Sequence, residues 1–341
     1  MISFASDNYA TAAPEVMQAL MEANQGHMPA YGSDPVTEQA VSLIQNSLST
    51  DAPVFFVGTG TAANVLALKV MLKDFESVIA PDNAHIVTHE TGAPFHICGT
   101  KILTCSGGDS GKITPDQIRR LHHGESKWGI HATSPKVVSI TQPTEFGTVY
   151  SLEELAAIRS TCDELNLLIH MDGCRLYNAA ATLDCSLGEM ARYADILCLG
   201  GTKAGLMFGE AMVFINQELA ENFGHRRKLG LQLMSKMRYV SAQFKALFTE
   251  DLGLKLARHA NEMTTRLWNG IKDCDGVSAA YPVESNQMFI TLPQEMISPL
   301  QEKFPFYTFD EELNLVRLIT SHDTKPEDVD SFLSLFHSLL K

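Results

Sequence analysis

The stretch ILCLGGTKAGLMFGEA, residues 196–211, places a single lysine directly after a short apolar run. Residues 196–199 predict a buried β-strand, and the glycines that follow allow a tight turn at its end. Lys203 is therefore expected at a strand end among small residues. Lysine is seldom buried without a function, and a desolvated amine is easier to deprotonate and can condense with an aldehyde. The alternative is a lysine on a surface loop.

A second strand end lies upstream, in LLIHMDGCR, residues 167–175. Residues 167–171 predict a buried strand, and Asp172 follows it directly. A carboxylate at this place is costly unless it meets a cation, and a protonated pyridine nitrogen is a suitable one. The alternatives are an aspartate that caps a helix or one that pairs with Arg175.

A third strand, residues 54–57, runs into VGTGTAAN, residues 57–64. Its glycines let the backbone approach a phosphate, and the amides at a helix start, with the hydroxyls of Thr59 and Thr61, supply donors. The same letters satisfy the dinucleotide pattern GxGxxA, with Asp82 at a distance suited to binding a ribose. A tight strand-helix joint without a ligand is the third interpretation.

Short apolar runs alternate with helical periodicity along the first 250 residues. The predicted strands are residues 54–57, 78–80, 102–105, 137–140, 167–171, 196–199 and 212–215. Most are apolar at consecutive positions, as expected when helices cover both faces of a sheet. The pattern predicts an α/β fold with a mainly parallel seven-stranded sheet. In open sheets of this kind, ligands bind beyond the carboxyl ends of the strands, where these motifs lie.

The predicted helices divide the chain into two parts. Helical periodicity covers residues 14–24, 35–49, 61–73 and 152–165, with a longer stretch near 228–248. From about residue 250 the pattern changes to a helix at 254–271, strands at 287–291 and 315–319, and a final helix at 325–340. We expect a large domain over residues 1–250 and a smaller α+β domain over residues 251–341, with residues 1–12 packing on the smaller one.

Composition argues against several classes of protein. The net charge of −14 and the lack of a basic cluster disfavour nucleic acid as a partner. No apolar run reaches the roughly 18 to 20 residues that span a bilayer, and the N-terminus lacks a basic start and an apolar core, so a cytoplasmic location without membrane contact is expected. The seven cysteines are scattered without CxxC spacing and predict buried, reduced thiols. No cluster of ligands predicts a metal site.

Taken together, the three strand-end motifs are more specific than any one of them. Pyridoxal 5'-phosphate (PLP) needs a phosphate site, an acid at its ring nitrogen and a lysine at its aldehyde. A nicotinamide-dependent oxidoreductase would need only the first of these. A PLP-fold protein that binds a partner without catalysis would carry all three.

Seven motifs along the chain resemble, in the same order, those of the threonine aldolases. They are SDNYATAAPEVMQAL (6–20), AYGSDP (30–35), GTGTAAN (58–64), DNAHIVTHETGAP (82–94), HMDGCRLYNA (170–179), GGTKAG (200–205) and VRLITSHDT (316–324). The resemblance covers nearly the whole chain and is closest to the bacterial low-specificity L-threonine aldolases. It implies the aspartate-aminotransferase type of PLP fold (fold type I) and homodimers or homotetramers with shared active sites.

The activity implied by this resemblance is cleavage of L-threonine, L-allo-threonine and related β-hydroxy-α-amino acids to glycine and an aldehyde. A β-eliminating lyase or an aminotransferase would use the same aspartate and lysine, so these reactions stay open as alternatives.

Residue by residue, the resemblance implies a cofactor site and a substrate site. The expected cofactor-binding residues are Thr59, Gly60, Thr61, His85, Asp172, Arg175 and Lys203. The expected substrate-binding residues are Ser6, Tyr31, Arg175 and Arg317, with a two-pronged contact from Arg317 to the α-carboxylate. Lys203, Asp172, His85 and His131 are the expected catalytic residues, the two histidines as candidate proton acceptors near the substrate hydroxyl. Without the resemblance, both histidines would be taken as structural.

The chain departs from the usual family pattern in two places. The segment RRKLGLQLMSKMR, residues 226–238, replaces the common GGGMR. Arg226, Arg227, Lys236 and Arg238 are therefore all candidates for reaching a neighbouring subunit's phosphate. The segment ITQPTEFG, residues 140–147, also differs, which leaves the contribution of Thr144 and Glu145 to the site open.

Overall fold

A computed structural model describes residues 2–340 and contains two sheets. The larger one has the seven strands β1 Val54–Val57, β2 Glu76–Pro81, β3 Lys101–Cys105, β4 Ser134–Thr141, β5 Leu168–Gly173, β6 Ile196–Gly200 and β7 Glu210–Phe214. Their order is β1-β7-β6-β5-β4-β2-β3. Strand β7 runs antiparallel to β1 and β6, and the other neighbours are parallel. All seven predicted strands are confirmed, with ends displaced by at most three residues.

Helices cover both faces of the larger sheet. They are α1 Pro14–Ala23, α2 Pro35–Leu48, α3 Gly60–Met71, α4 His85–Thr88, α5 Pro115–Ser126, α6 Leu152–Glu164, α7 Leu176–Leu183, α8 Leu187–Ala191, α9 Phe223–Leu229 and α10 Arg238–Phe248. One face packs a cluster around Ile44 and Ile169, and the other packs a cluster around Leu68 and Phe214. This burial on both faces explains why the strands are apolar at consecutive positions.

Local signals fix where several helices begin. Asp34 caps α2 by accepting a hydrogen bond from the backbone N–H of Thr37, and Pro35 occupies the first turn. The predicted helices near 14–24, 35–49, 61–73 and 152–165 are confirmed. The continuous helix predicted near 228–248 is wrong, because α9 ends at Leu229 and α10 begins only at Arg238. Leu231 between them has a φ of 62°, which a helix does not accommodate.

The smaller sheet lies in the last quarter of the chain. Its antiparallel strands are β8 Ser278–Ala279, β9 Gln287–Thr291, β10 Tyr307–Asp310 and β11 Leu315–Ile319, in the order β10-β11-β9-β8. Helices α11 Leu252–Ile271, α12 Gln294–Lys303 and α13 Pro326–Leu339 accompany it. Strands β9 and β11 match the prediction residue for residue. Strands β8 and β10 were not predicted, because both are short edge strands with exposed side chains.

The division at residues 250 and 251 stays a prediction. Helix α11 begins close to it, but Ala257 in its first half packs into the core of the larger sheet, whereas Leu267 packs with the smaller sheet. The N-terminal segment lies on the smaller part. The backbone N–H of Phe4 donates to the carbonyl of Pro305, and the carbonyl of Phe4 accepts from the backbone N–H of Ile319, both at 2.8 Å. Its ring is fully buried in the smaller core.

Two further expectations concern helices and cysteines. Among residues 2–340, none of the helices has both the length and the apolar character that crossing a membrane requires. All seven cysteines are free thiols. Four of them, Cys98, Cys105, Cys162 and Cys198, are buried as expected, whereas Cys174, Cys185 and Cys274 are partly exposed.

Candidate active site

The three strand-end motifs meet at one cleft beyond the carboxyl ends of β4, β5 and β6. The cleft is lined by Gly60, Thr61, Asn64, His85, Glu90, Thr141, Pro143, Thr144, Glu145, Asp172, Cys174, Arg175 and Lys203. Residues predicted from three separate parts of the sequence are therefore brought together. The parallel strands explain this convergence, since their carboxyl ends share one edge of the sheet.

Helix α3 presents its N-terminus to the cleft. A side chain added at Gly60 would meet no atom within 4 Å, so open space lies beside the first turn. The unpaired N–H groups of such a turn, together with the exposed Thr61, suit an anion. Thr59 is less available, because its hydroxyl caps the helix by accepting from the N–H of Ala62 at 3.2 Å.

The topology does not fit dinucleotide binding. In that fold, the strand that carries the ribose-binding acid pairs with the strand before the glycine turn. Here β1 pairs with β7, whereas β2, which precedes Asp82, pairs with β3 and β4. The nicotinamide interpretation of GTGTAAN is therefore wrong.

Asp172 lies near the end of β5 and is 7% exposed. Its carboxylate accepts from Asn64 Nδ2 at 2.8 Å and from the N–H of Cys174 at 2.9 Å. It forms no ion pair with a side chain of residues 2–340. The alternative pairing with Arg175 is wrong, because Arg175 binds Asp7 instead. Asp172 is thus a buried carboxylate with room for a cationic partner in the cleft.

Lys203 lies in the single helical turn Thr202–Ala204 that follows β6. It is partly buried and makes no hydrogen bond or ion pair with another side chain in the described range. The preceding turn is tightly packed: a side chain at Gly200 would lie 2.3 Å from the carbonyl oxygen of Cys174. Only glycine fits there, which explains the small residues around the lysine.

Glu210 at the start of β7 holds this turn. Its carboxyl group accepts from the N–H of Gly201 and from the hydroxyl of Thr202, both at 2.8 Å. Burial raises the pKa of Glu210 to about 7, although both hydrogen bonds and the charge of Lys203 oppose the rise. The sequence analysis did not identify Glu210, because its partners are reached only across the β6–β7 pair.

His85 is the first residue of α4 and lines the cleft. Its Nδ1 atom lies 2.8 Å from Glu90 Oε1, and this hydrogen bond raises the pKa of His85. Asn64 Nδ2 donates to the same Glu90 oxygen at 3.0 Å. Neither Glu90 nor Asn64 was predicted as a site residue. Glu90 nevertheless stands in the motif HIVTHE, and Asn64 stands in the motif GTGTAAN.

Glu145 contributes a second buried acid to the cleft. It accepts from the backbone N–H of His85 at 2.8 Å and from the hydroxyl of Thr141 at 2.7 Å. Burial raises the pKa of Glu145. The segment ITQPTEFG therefore places a buried carboxyl group, that of Glu145, at this point of the lining.

Ser6 belongs to the N-terminal segment, and Arg317 lies against that segment. Arg317 Nη2 donates to the carbonyl of Ala5 at 3.3 Å, and its guanidinium lies 5.3 Å from the ring centre of Tyr307. Its Nε atom has no partner, and no carboxylate of the described chain pairs with it. Burial and the charge of Arg175 lower the pKa of Arg317. Because no carboxylate among residues 2–340 pairs with Arg317, its free donors are available to a ligand, as expected for a substrate-binding residue.

Two predicted site residues lie elsewhere. His131 is exposed beside Trp128 and Lys101, in a turn before the start of β4. Strand β4 is eight residues long, so His131 lies about 25 Å from the cleft at the opposite end of the sheet. Its predicted contact with the substrate of the same chain is wrong. Tyr31 is 49% exposed, and its backbone N–H is bonded to Ser235 outside the cleft.

The basic residues at 226–238 are also separated by the structure. Arg227 is buried against Phe55 and donates to the carbonyl of Phe56. It cannot reach another subunit from there. Arg226, Lys236 and Arg238 remain accessible candidates.

Comparison with known proteins places the chain among enzymes. The sequence profile of the beta-eliminating lyase family matches residues 3–294. A low specificity L-threonine aldolase of Pseudomonas aeruginosa is 44% identical over 330 residues, covering 96% of this chain and 94% of that protein. One from another Pseudomonas strain is 44% identical over 310 residues, covering 90% and 89%.

Solved structures agree. A threonine aldolase of Leishmania major superposes with a TM-score of 0.96 and 33% identity, covering all of both chains. Aspartate aminotransferase of Thermus thermophilus, at a TM-score of 0.72 and 15% identity, shares the fold, that of the fold type I enzymes. By sequence and by structure, this chain belongs to the beta-eliminating lyase family and, within it, to the low-specificity L-threonine aldolases.

Proposed function

We propose that this protein is a PLP-dependent aldolase that cleaves L-threonine, L-allo-threonine and other β-hydroxy-α-amino acids to glycine and an aldehyde. The observation that carries the proposal is one cleft in which the amine of Lys203 and the buried carboxylate of Asp172 both lack an ionic partner among residues 2–340. The names of relatives that cover nearly the whole chain support the same reaction.

The residues of the cleft fit PLP. Asp172 is buried and would hold the ring nitrogen, and Lys203 would bind the aldehyde carbon. The open first turn of α3 at Gly60 and Thr61 would bind the phosphate. When bound, PLP withdraws electrons from the bonds of the substrate α-carbon.

The substrate carboxylate would lie at Arg317. The guanidinium has free donors, and its contact with Ala5 sets it next to Ser6. Arginine binds carboxylates through two parallel hydrogen bonds, which fixes orientation as well as position. Arg317 would therefore decide which bond of the α-carbon faces the cofactor ring.

His85 would accept the proton of the substrate β-hydroxyl. Its ring lines the cleft, and the Nε2 atom has no partner among residues 2–340. Loss of this proton allows the bond between the α- and β-carbons to break with release of an aldehyde. An apolar pocket distinguishes alkyl groups by only about 1 to 3 kcal/mol, so a range of aldehydes is expected.

Self-association with shared sites is part of the proposal. Tyr31 is exposed and is not among the residues that line the cleft of its own chain. If it binds substrate, it does so in a neighbouring copy. The accessible Arg226, Lys236 and Arg238 would be available for the same purpose.

A β-eliminating lyase is the second candidate, because the matching family profile carries that description. Both reactions need Lys203 and Asp172. They differ in product, since elimination from serine or threonine gives a keto acid, whereas aldol cleavage gives an aldehyde and glycine.

The test is the visible spectrum of the purified protein, before and after borohydride, followed by product analysis with L-threonine. Wild type should show a yellow, borohydride-sensitive band and release acetaldehyde. Lys203→Ala should lack the band, whereas Lys136→Ala, at the far end of β4, should keep it. A protein that PLP cannot colour refutes the cofactor, and a keto acid in place of acetaldehyde supports elimination.

A further inference from the structure

The side chain of Glu90 is completely buried behind the ring of His85. Its Oε1 atom lies 2.8 Å from His85 Nδ1. Glu90 follows α4 by two residues, and the chain then turns through Thr91 and Gly92, which have φ values of 50° and 73°. A backbone in the left-handed region is costly for threonine. The turn thus holds the carboxylate against the ring.

This contact determines which ring nitrogen carries a proton. A carboxylate can only accept, so the hydrogen bond requires the proton to be on Nδ1. In the neutral ring, Nε2 is then left as the acceptor. Nothing in residues 2–340 occupies Nε2, which therefore stays available to a ligand in the cleft.

Asn64 connects Glu90 to Asp172. Its Nδ2 donates to Glu90 Oε1 at 3.0 Å and to Asp172 Oδ2 at 2.8 Å. One amide group therefore binds two buried carboxylates and relieves their mutual repulsion.

The other charged groups near His85 act in opposing directions. Glu90 and Asp172 raise the pKa of His85 and favour a protonated ring, whereas burial and the charge of Lys203 disfavour it. Glu145 contacts only the backbone N–H of His85. Within the described part of the chain, Glu90 is the one acid bonded to the ring itself.

We infer that Glu90 is a positioning residue that keeps the proton of His85 on Nδ1 and directs Nε2 at the substrate hydroxyl as the proton acceptor. The inference rests on the proposed function, in which His85 is the base, and adds the residue that orients that base. When Nε2 takes the proton, the carboxylate of Glu90 offsets the new positive charge of the ring. The proton lost from the hydroxyl is balanced by the one that glycine gains at its α-carbon.

The first measurement is nuclear magnetic resonance of full-length, histidine-labelled protein, with His85→Asn used to assign the signal. Wild type should show the proton on Nδ1. Glu90→Gln should lower the pKa of His85 by about one unit or more, because a neutral amide replaces the carboxylate. Glu145→Gln is the matched control, since it removes a buried carboxyl group that does not touch the ring.

The second measurement is the pH profile of kcat/KM for the PLP-loaded enzyme. The acidic limb of Glu90→Gln should move to lower pH by the same amount, and its plateau should fall roughly 10- to 100-fold, as for a weakened general base. If Glu90 had only a structural role, the acidic limb of the pH profile would not move in Glu90→Gln.

The inference is overturned if His85 of wild type carries its proton on Nε2, a result that needs no variant to fold. It is also overturned if Glu90→Gln leaves both the pKa of His85 and the acidic limb unchanged. Because the resonance measurement does not depend on turnover, an enzyme that fails to cleave threonine would refute the proposed function alone.

Discussion

Arg175 and Asp7 form a buried two-pronged ion pair that links the end of β5 to the N-terminal segment. Arg175 Nε lies 2.6 Å from Asp7 Oδ2, and its Nη2 atom lies 2.9 Å from Oδ1. Asn286 donates to the same carboxylate at 3.2 Å. Burial opposes ionisation of Asp7, but the charge of Arg175 prevails and lowers the pKa. The pair therefore holds Ala5 and Ser6 beside Arg317, where the substrate carboxylate is proposed to bind.

Asp7→Asn should destabilise the fold and weaken substrate binding. It leaves Arg175 buried without its counter-charge, which costs roughly 3 to 5 kcal/mol of unfolding free energy. Displacement of Ser6 should also raise KM. Urea unfolding and steady-state kinetics measure the two effects.

Asp330→Asn is the matched control for this prediction. Arg266 also binds Asp330 in a two-pronged pair, but both side chains are about half exposed. An exposed pair contributes about 1 kcal/mol or less. An equal loss of unfolding free energy in Asp7→Asn and Asp330→Asn would contradict the prediction that burial makes the Arg175–Asp7 pair more costly to break.

Arg317→Gln should raise KM for L-threonine roughly 10- to 100-fold, the equivalent of one lost hydrogen bond to a charged group of about 1.5 to 3 kcal/mol. The physical reason is that Arg317 has free donors and no protein carboxylate among residues 2–340. Tyr307→Phe keeps the ring beneath the guanidinium and removes only the hydroxyl bonded to Tyr9, so its KM should stay near that of wild type. An unchanged KM in Arg317→Gln would remove this residue from the substrate site.

His131→Asn should alter kcat/KM less than about twofold, whereas His85→Asn should lower it by roughly 10²- to 10⁴-fold, the range for loss of a general base. His85 lines the cleft, but His131 is exposed at the other end of β4. Assays of acetaldehyde release from both variants under identical conditions decide between them. A large loss in His131→Asn with retained secondary structure would mean that this residue reaches a neighbouring active site.

The sequence predicted the elements that depend on local pattern. Strands buried on both faces appear as uninterrupted apolar runs, so β1 to β7 were found, and strand-end residues such as Lys203 and Asp172 followed from them. Strands β8 and β10 carry exposed side chains and lack that signal. The break between α9 and α10 depends on the backbone conformation at Leu231, which no apolar periodicity reveals.

Contacts between distant parts of the chain could not be predicted in the same way. Arg175 was expected at the cofactor or substrate, because its pairing with Asp7, 168 residues away, has no local signature. Glu90 was overlooked since an acid after a short helix is usually solvated. His131 was placed in the site by resemblance alone, and the structure puts it at the amino end of β4.

Glu210→Gln should reduce the dependence of stability on pH. Burial raises the pKa of Glu210 to about 7 in the folded protein, whereas glutamate in an unfolded chain titrates near about 4.3. Between these values the folded state binds one proton more, so stability is greatest at low pH and is lost as the pH rises through about 7. This amounts to roughly 4 kcal/mol, and a neutral glutamine removes it. The free energy of unfolding, measured with urea at about pH 5 and pH 8, should therefore differ less between the two pH values for Glu210→Gln than for wild type.

Glu38→Gln, on the exposed side of α2, controls for loss of a carboxyl group. If all three proteins showed the same difference, Glu210 would have to be ionised throughout this range, and its two hydrogen bonds to the turn before Lys203 would outweigh its burial.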